Sequence, residues 1–159
     1  MKHNPPHLSH ARSRAVHFRL ERWHRRSLYG VGLALLLSGV VWLVAHYFLR
    51  VAGEFGETVH PLEHLSLQMH GAASMLAWFF IGSLLNNHIR RAHNARRNML
   101  TGWLMISLLA WLTVSGYGLY YLVTENSRSL WSLSHWISGL LLPLLVVWHI
   151  SSGRGLRAH

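Results

Sequence analysis

Four long stretches without a charged side chain divide this sequence. With histidine counted as neutral, they cover residues 28–49, 65–87, 99–124 and 130–152. A helix needs about 20 mostly apolar residues to cross a bilayer, and soluble core helices are rarely apolar on every face for so long. The pattern predicts an all-α fold, a membrane four-helix bundle with helices over roughly 23–49, 65–87, 99–123 and 131–150.

The polar remainder suggests a simple domain organisation. Residues 1–22 form a basic polar tail, residues 23–152 the transmembrane domain, and residues 153–159 a short second tail. The chain contains no cysteine. This excludes covalent haem attachment through a C-x-x-C-H motif and cysteine-ligated iron–sulfur clusters.

The basic residues are segregated along the chain. The formal net charge is +10, which in a soluble protein would suggest nucleic-acid binding. Here nearly all the lysines and arginines lie in the two tails and in the loop between the second and third apolar stretches. The positive-inside rule then predicts that both termini are cytoplasmic. Because this topology accounts for the charge, we expect a multi-pass protein of a bacterial inner membrane that binds lipid and no nucleic acid.

Histidine is the ionisable residue within the apolar stretches, which contain no Asp, Glu, Lys or Arg. His135 and His149 are 14 residues apart, about 40° short of four helical turns, so they share one face about 21 Å apart along the axis. Neutral imidazole is a good axial ligand for haem iron. The spacing suits two haems stacked across the membrane, and Gly139, one turn after His135, would leave room for a porphyrin.

Each iron needs a second imidazole from another helix. On the outer side the candidates are His70, which is followed by a small residue, Gly71, and His46. On the inner side they are His24 and His88. His70 and His88 would stand about 27 Å apart along a helix, some 6 Å more than the pair on the fourth helix. This difference favours His24 mildly and leaves both alternatives open.

Three segments together resemble a known family. They are RWHRRSLYGVGLALLLSG, HNARRNMLTGW with the later TVSG, and HWISGLLLPLLVVWHI. In order and spacing they are similar to the four-helix di-haem cytochrome b subunits of membrane-bound formate dehydrogenases and nickel–iron hydrogenases. The similarity covers most of residues 20–150.

The resemblance implies two b-type haems, each held by two histidines. The outer haem would be bound by His70 and His135, and the inner haem by His24 and His149. It also implies a quinone site near the basic loop, at Asn94, and a redox partner subunit at the outer face within a hetero-oligomeric complex.

We therefore expect an electron-transfer subunit of an oxidoreductase complex rather than a complete enzyme. It would carry electrons across the bilayer between the outer partner and membrane quinone. The alternatives are a haem-free subunit for anchoring or assembly, in which the histidines are merely interfacial, and a cytochrome with a single haem.

Overall fold

A computed structural model describes residues 21–53, 56–94, 96 and 98–155. The described residues are mostly helical (87%), as the apolar pattern predicts. The expected N-terminal tail lies almost entirely outside the described residues. The last helix continues to Gly155, so the expected C-terminal tail begins within that helix.

Four long helices and a few short elements make up the structure. They are α1 (Arg22–Phe48), β1 (Val51–Gly53), β2 (Gly56–Thr58), α2 (Pro61–Leu84), a π-helical turn (Leu85–Ile89), α3 (Arg90–Asn94), α4 (Met99–Tyr121) and α5 (Glu125–Gly155).

The long helices form two antiparallel hairpins. Helix α1 packs along α2, and α4 packs along α5, whereas contacts between the hairpins are sparse. One of these contacts is a hydrogen bond of 3.2 Å from Trp78 Nε1 to Thr113 Oγ1. The two hairpins are therefore joined mainly by the few side chains that reach from one to the other.

The connection from α1 to α2 is a small antiparallel β-ribbon. Its register pairs Val51 with Thr58 and Gly53 with Gly56, which has a φ of +119°. This φ lies in the region that glycine adopts without strain. Helix α2 then begins with Pro61 in its first turn, where proline loses no helical hydrogen bond, so the ribbon and Pro61 together reverse the chain direction.

The pattern of burial is the opposite of that in a water-soluble protein. Among the described residues the buried hydrophobic side chains are only Ala45 and Ala73, while large apolar residues are exposed along every long helix. The buried polar residues are His24, Ser38, Glu63, Ser66, Thr101 and Ser115. A protein surrounded by lipid is expected to have this distribution, in which small and polar groups lie inside and apolar groups lie outside.

Three helices are long and apolar enough to cross a membrane: α1, α4 and α5. Helix α2 has a similar length of 24 residues, but its first half contains Glu63, His64, Gln68 and His70. The chain thus has the composition of a membrane protein, with three candidate spans and a fourth long helix that is more polar.

Replacing Leu144 with lysine tests which solvent surrounds α5. This side chain is 66% exposed, so in water the change would alter stability by no more than about 0.5 kcal/mol. At the centre of a membrane helix it costs about 3 kcal/mol. We expect L144K to reduce the carbonate-resistant membrane fraction.

The matched control is Leu122→Lys, since Leu122 is 69% exposed and follows the end of α4. We expect this variant to remain in the membrane fraction. Equal behaviour of the two variants would contradict a lipid-facing α5.

Candidate functional site

Four histidines form two facing pairs. The rings of His70 and His135 have centres 6.3 Å apart and an interplanar angle of 72°. The rings of His88 and His149 also have centres 6.3 Å apart, with an angle of 75°. Each pair joins the first hairpin, or the π turn that extends it, to α5 of the second hairpin.

The separation within each pair fits one metal ion between two imidazoles. With a metal–nitrogen bond of about 2.0–2.1 Å and a ring centre about 1.1 Å behind the nitrogen, two such rings have centres roughly 6.3 Å apart. The angle between the ring planes is free in this arrangement, because each ring can rotate about its bond to the metal. The ring-centre separation in both pairs therefore equals that of two imidazoles bound to one metal ion.

A serine on α1 fixes the orientation of His70. Ser38 Oγ lies 2.7 Å from the carbonyl oxygen of Ala34 and 2.9 Å from His70 Nδ1. Since the single hydroxyl proton is donated to the carbonyl, the oxygen accepts from His70 Nδ1. The Nε2 atom of His70 is then unprotonated and has a lone pair for a ligand bond.

The second hairpin repeats this arrangement. Ser115 Oγ donates to the carbonyl oxygen of Trp111 at 2.7 Å and accepts from His135 Nδ1 at 2.8 Å. Ser115 is fully buried. Thus both facing histidines have the same tautomer, each set by a serine on the neighbouring helix of its own hairpin. In many metalloproteins, a hydrogen bond from the ring nitrogen that does not bind the metal orients the histidine.

A glycine follows each of these serines, and at Gly116 the absence of a side chain allows the close approach of the histidine, whereas the contact at Gly39 is an ordinary one. A Cβ atom at Gly39 would lie 3.6 Å from His70 Cε1, and one at Gly116 would lie 3.3 Å from His135 Cε1. The glycines expected to make room for a porphyrin lie differently. A Cβ at Gly71 would meet nothing within 4 Å, and one at Gly139 would meet Leu112 at 3.9 Å.

His149 is held by the start of α4. Thr101 Oγ1 lies 2.9 Å from both His149 Nδ1 and the side-chain oxygen of Asn98, and the Asn98 amide donates to the His149 carbonyl at 2.8 Å. Asn98 itself has left-handed backbone angles, which asparagine tolerates well. Asn94, the residue expected near a quinone, is exposed at the end of α3.

His88, rather than His24, lies opposite His149. His24 is buried, its ring contacts Phe80, and its Nε2 is 3.0 Å from Ser83 Oγ. Ser83 donates to the Phe80 carbonyl, so His24 Nε2 is the donor to Ser83. The structure thus brings together His70, His135 and His149 from the expected set, but with His88 as the fourth ring.

The π turn accounts for the position of His88. The turn comprises Leu85–Ile89, and its i→i+5 hydrogen bonds place an extra residue in the turn. The chain then advances less along the axis than a continuous α-helix, and the direction of His88 also changes. The axial distance between His70 and His88 is then shorter than in an ideal α-helix, and so closer to the distance between His135 and His149.

The residues that hold the histidines lie in the segments that carry the family resemblance, but sequence reasoning did not assign them to the imidazoles. Ser38–Gly39, Ser115–Gly116 and Thr101–Gly102 are small hydroxyl–glycine pairs inside long apolar stretches. Thr101 and Ser115 are 14 residues apart, the same spacing as His149 and His135. This shared spacing is the signal that could have indicated one support for each imidazole on α5.

Two facing imidazoles are the protein ligands that a haem iron with two axial histidines would need. Within the described part of the chain no three His, Cys, Asp or Glu side chains form a group that could hold a metal ion. Two facing imidazoles leave four positions on a six-coordinate iron, which a porphyrin supplies. In addition, Trp136 Nε1, next to His135, is a buried donor without a partner among the described residues.

Comparison with known proteins does not identify a relative. No protein-family model matches the chain, and no curated protein or solved structure is significantly similar to it.

Replacing Ser115 with alanine tests its support of His135. The variant leaves His135 Nδ1 without its acceptor, so we expect a loss of about 1 kcal/mol in the free energy of unfolding. The measurement is thermal or denaturant unfolding of the detergent-purified chain.

Ser151→Ala is the matched control. Ser151 Oγ also donates to a backbone carbonyl one turn back, that of Val147 at 2.9 Å, but it has no histidine partner in the structure. We expect a change below about 0.5 kcal/mol. A loss as large as that of S115A would contradict the role of the imidazole contact.

Proposed function

We propose that this chain is a membrane electron-transfer subunit that carries two b-type haems, one at each histidine pair. The observation that supports this most directly is the equal separation of 6.3 Å between ring centres in the two pairs. The two members on α5 are about 21 Å apart along the helix, so the sites would lie at different depths of the membrane.

The chain's own residues would bind, orient and shield the cofactors. His70 and His135 would be the ligands at one site, and His88 and His149 those at the other. Ser38, Ser115 and Thr101 would hold the protons on Nδ1, which leaves Nε2 free. The apolar outer surfaces of the helices would exclude water. Bound haem would supply the one-electron iron couple, which protein side chains cannot.

The orientation that we propose follows the positive-inside rule. Both termini and the loop around α3 would be cytoplasmic, with α1, α2, α4 and α5 crossing a bacterial inner membrane as a four-helix bundle. The His70–His135 site would then be near the outer surface, where a redox partner subunit would exchange electrons. The His88–His149 site would be near the inner surface, where quinone would bind beside the loop that contains Asn94 and Asn98.

Haem stoichiometry tests the proposal directly. We expect two b-type haems per chain by pyridine haemochrome assay, and a reduced-minus-oxidised spectrum with a b-type band. Because each pair needs both imidazoles, His135→Ala and His149→Ala should each retain one haem.

His64→Ala provides the control, since His64 is exposed and contacts Gln68 on its own helix. It should retain both haems. Near-zero haem in the unaltered chain would reject the proposal and favour the anchoring or assembly role, and one haem per chain would favour the single-haem alternative.

The identity of the fourth ligand is tested by comparing His88→Ala with His24→Ala. The structure brings His88 to His149, whereas the family resemblance implies His24. We expect H88A to retain one haem and H24A to retain two. The reverse result would assign the inner iron to His24 and His149.

A further inference from the structure

A buried carboxylate lies at the other end of α2 from His88. The side chain of Glu63 is 8% exposed, and its Oε2 is 2.9 Å from His46 Nδ1 near the end of α1. Its second oxygen, Oε1, is buried and has no hydrogen-bond partner among the described residues. A buried acid with only half of its hydrogen-bonding capacity used is costly, which suggests a role beyond connecting two helices.

Glu63 and His70 share one face of α2. They are seven residues apart, about 20° short of two turns, and the rise between them is about 10 Å. His70 points towards His135 on α5. Glu63 and His70 thus lie on the side of α2 that packs against α1, where they contact His46 and Ser38, and Glu63 is two turns from His70.

The charge around the other pair has the opposite sign. Arg90 follows His88 by two residues, and Arg25 and Arg26 lie in the first turn of α1 at that end of the hairpin. These arginines are exposed, so solvent and salt screen them. A buried carboxylate is screened much less. The electric field of Glu63 at its neighbouring histidine pair is thus stronger than that of the arginines at the other pair.

We propose that Glu63, held by His46, lowers the reduction potential of an iron centre at the His70–His135 pair below that of one at the His88–His149 pair. The inference rests on the proposed function. Glu63 is the acidic partner in this contact, and an ionised carboxylate beside an uncharged imidazole has a net charge of −1. A negative charge favours ferric over ferrous iron, because the ferric form carries one more positive charge. For an iron centre about 10 Å from the carboxylate and an effective dielectric constant of about 20, one charge would shift this equilibrium by roughly tenfold.

The experiment is a spectroelectrochemical titration of the purified, haem-loaded chain. We expect two one-electron steps in the unaltered protein. Glu63→Gln removes the charge and keeps the shape, so the lower step should rise by at least the tenfold change that corresponds to about 59 mV. The higher step should remain unchanged.

Two further variants separate charge from structure. Glu57→Gln removes an exposed acid from β2 and should leave both steps unchanged. His46→Arg keeps Glu63 but sets a permanent cation beside it, so the lower step should rise as in E63Q. This variant decides the question if E63Q does not fold.

The outcomes distinguish this inference from the proposed function. Unchanged potentials in E63Q or H46R with full haem content would overturn the role of Glu63 and leave the cytochrome proposal intact. Equal shifts of both steps would also overturn it, because they would indicate a general change in the fold. An unaltered chain without haem would overturn both proposals.

Discussion

The hydrogen bond from an imidazole Nδ1 to a hydroxyl on the neighbouring helix is the interaction on which the site depends. Within the described part of the chain it occurs at His70 with Ser38, at His135 with Ser115 and at His149 with Thr101. A histidine that faces an apolar interior could otherwise rotate or adopt either tautomer. The hydroxyl removes both freedoms, since it accepts the Nδ1 proton and is itself tied to a carbonyl or to Asn98.

This constraint also explains the thin core. The residues that hold the histidines are serine and threonine, so they contribute little hydrophobic volume to the interior. In a soluble protein so few buried hydrophobic residues would not offset the loss of chain entropy. In lipid the apolar surfaces need no burial, and close contact of small residues with hydrogen bonds between helices is the usual means of association.

The sequence predicted the helical class and most helix positions because charge-free length is a strong signal. Met99 begins α4 as expected. The observed helix ends differ from the predicted ones where polar residues extend a helix beyond its apolar stretch. Helix α5 begins at Glu125 rather than near Trp131, with Glu125 and Arg128 forming an ion pair of 3.3 Å across one turn.

The candidate site was predictable in part. Ideal helix geometry related His135 to His149 correctly as residues of one helix face, because α5 is helical throughout this stretch. It left His88 and His24 as inner candidates and mildly favoured His24, since periodicity assumes continuous α-helical spacing, whereas the structure has a π turn at His88. Glu63 was missed, because it precedes the charge-free stretch and its burial depends on His46, which is 17 residues earlier.

The sparse contact between the two hairpins has a consequence for assembly. Each hairpin is internally packed, yet each histidine pair takes one ring from either side of the space between them. If iron centres join these rings, metal–ligand bonds become the main link between the halves of the molecule. Cofactor insertion would then be the last step of folding, and its loss would let the hairpins separate while their helices remain intact.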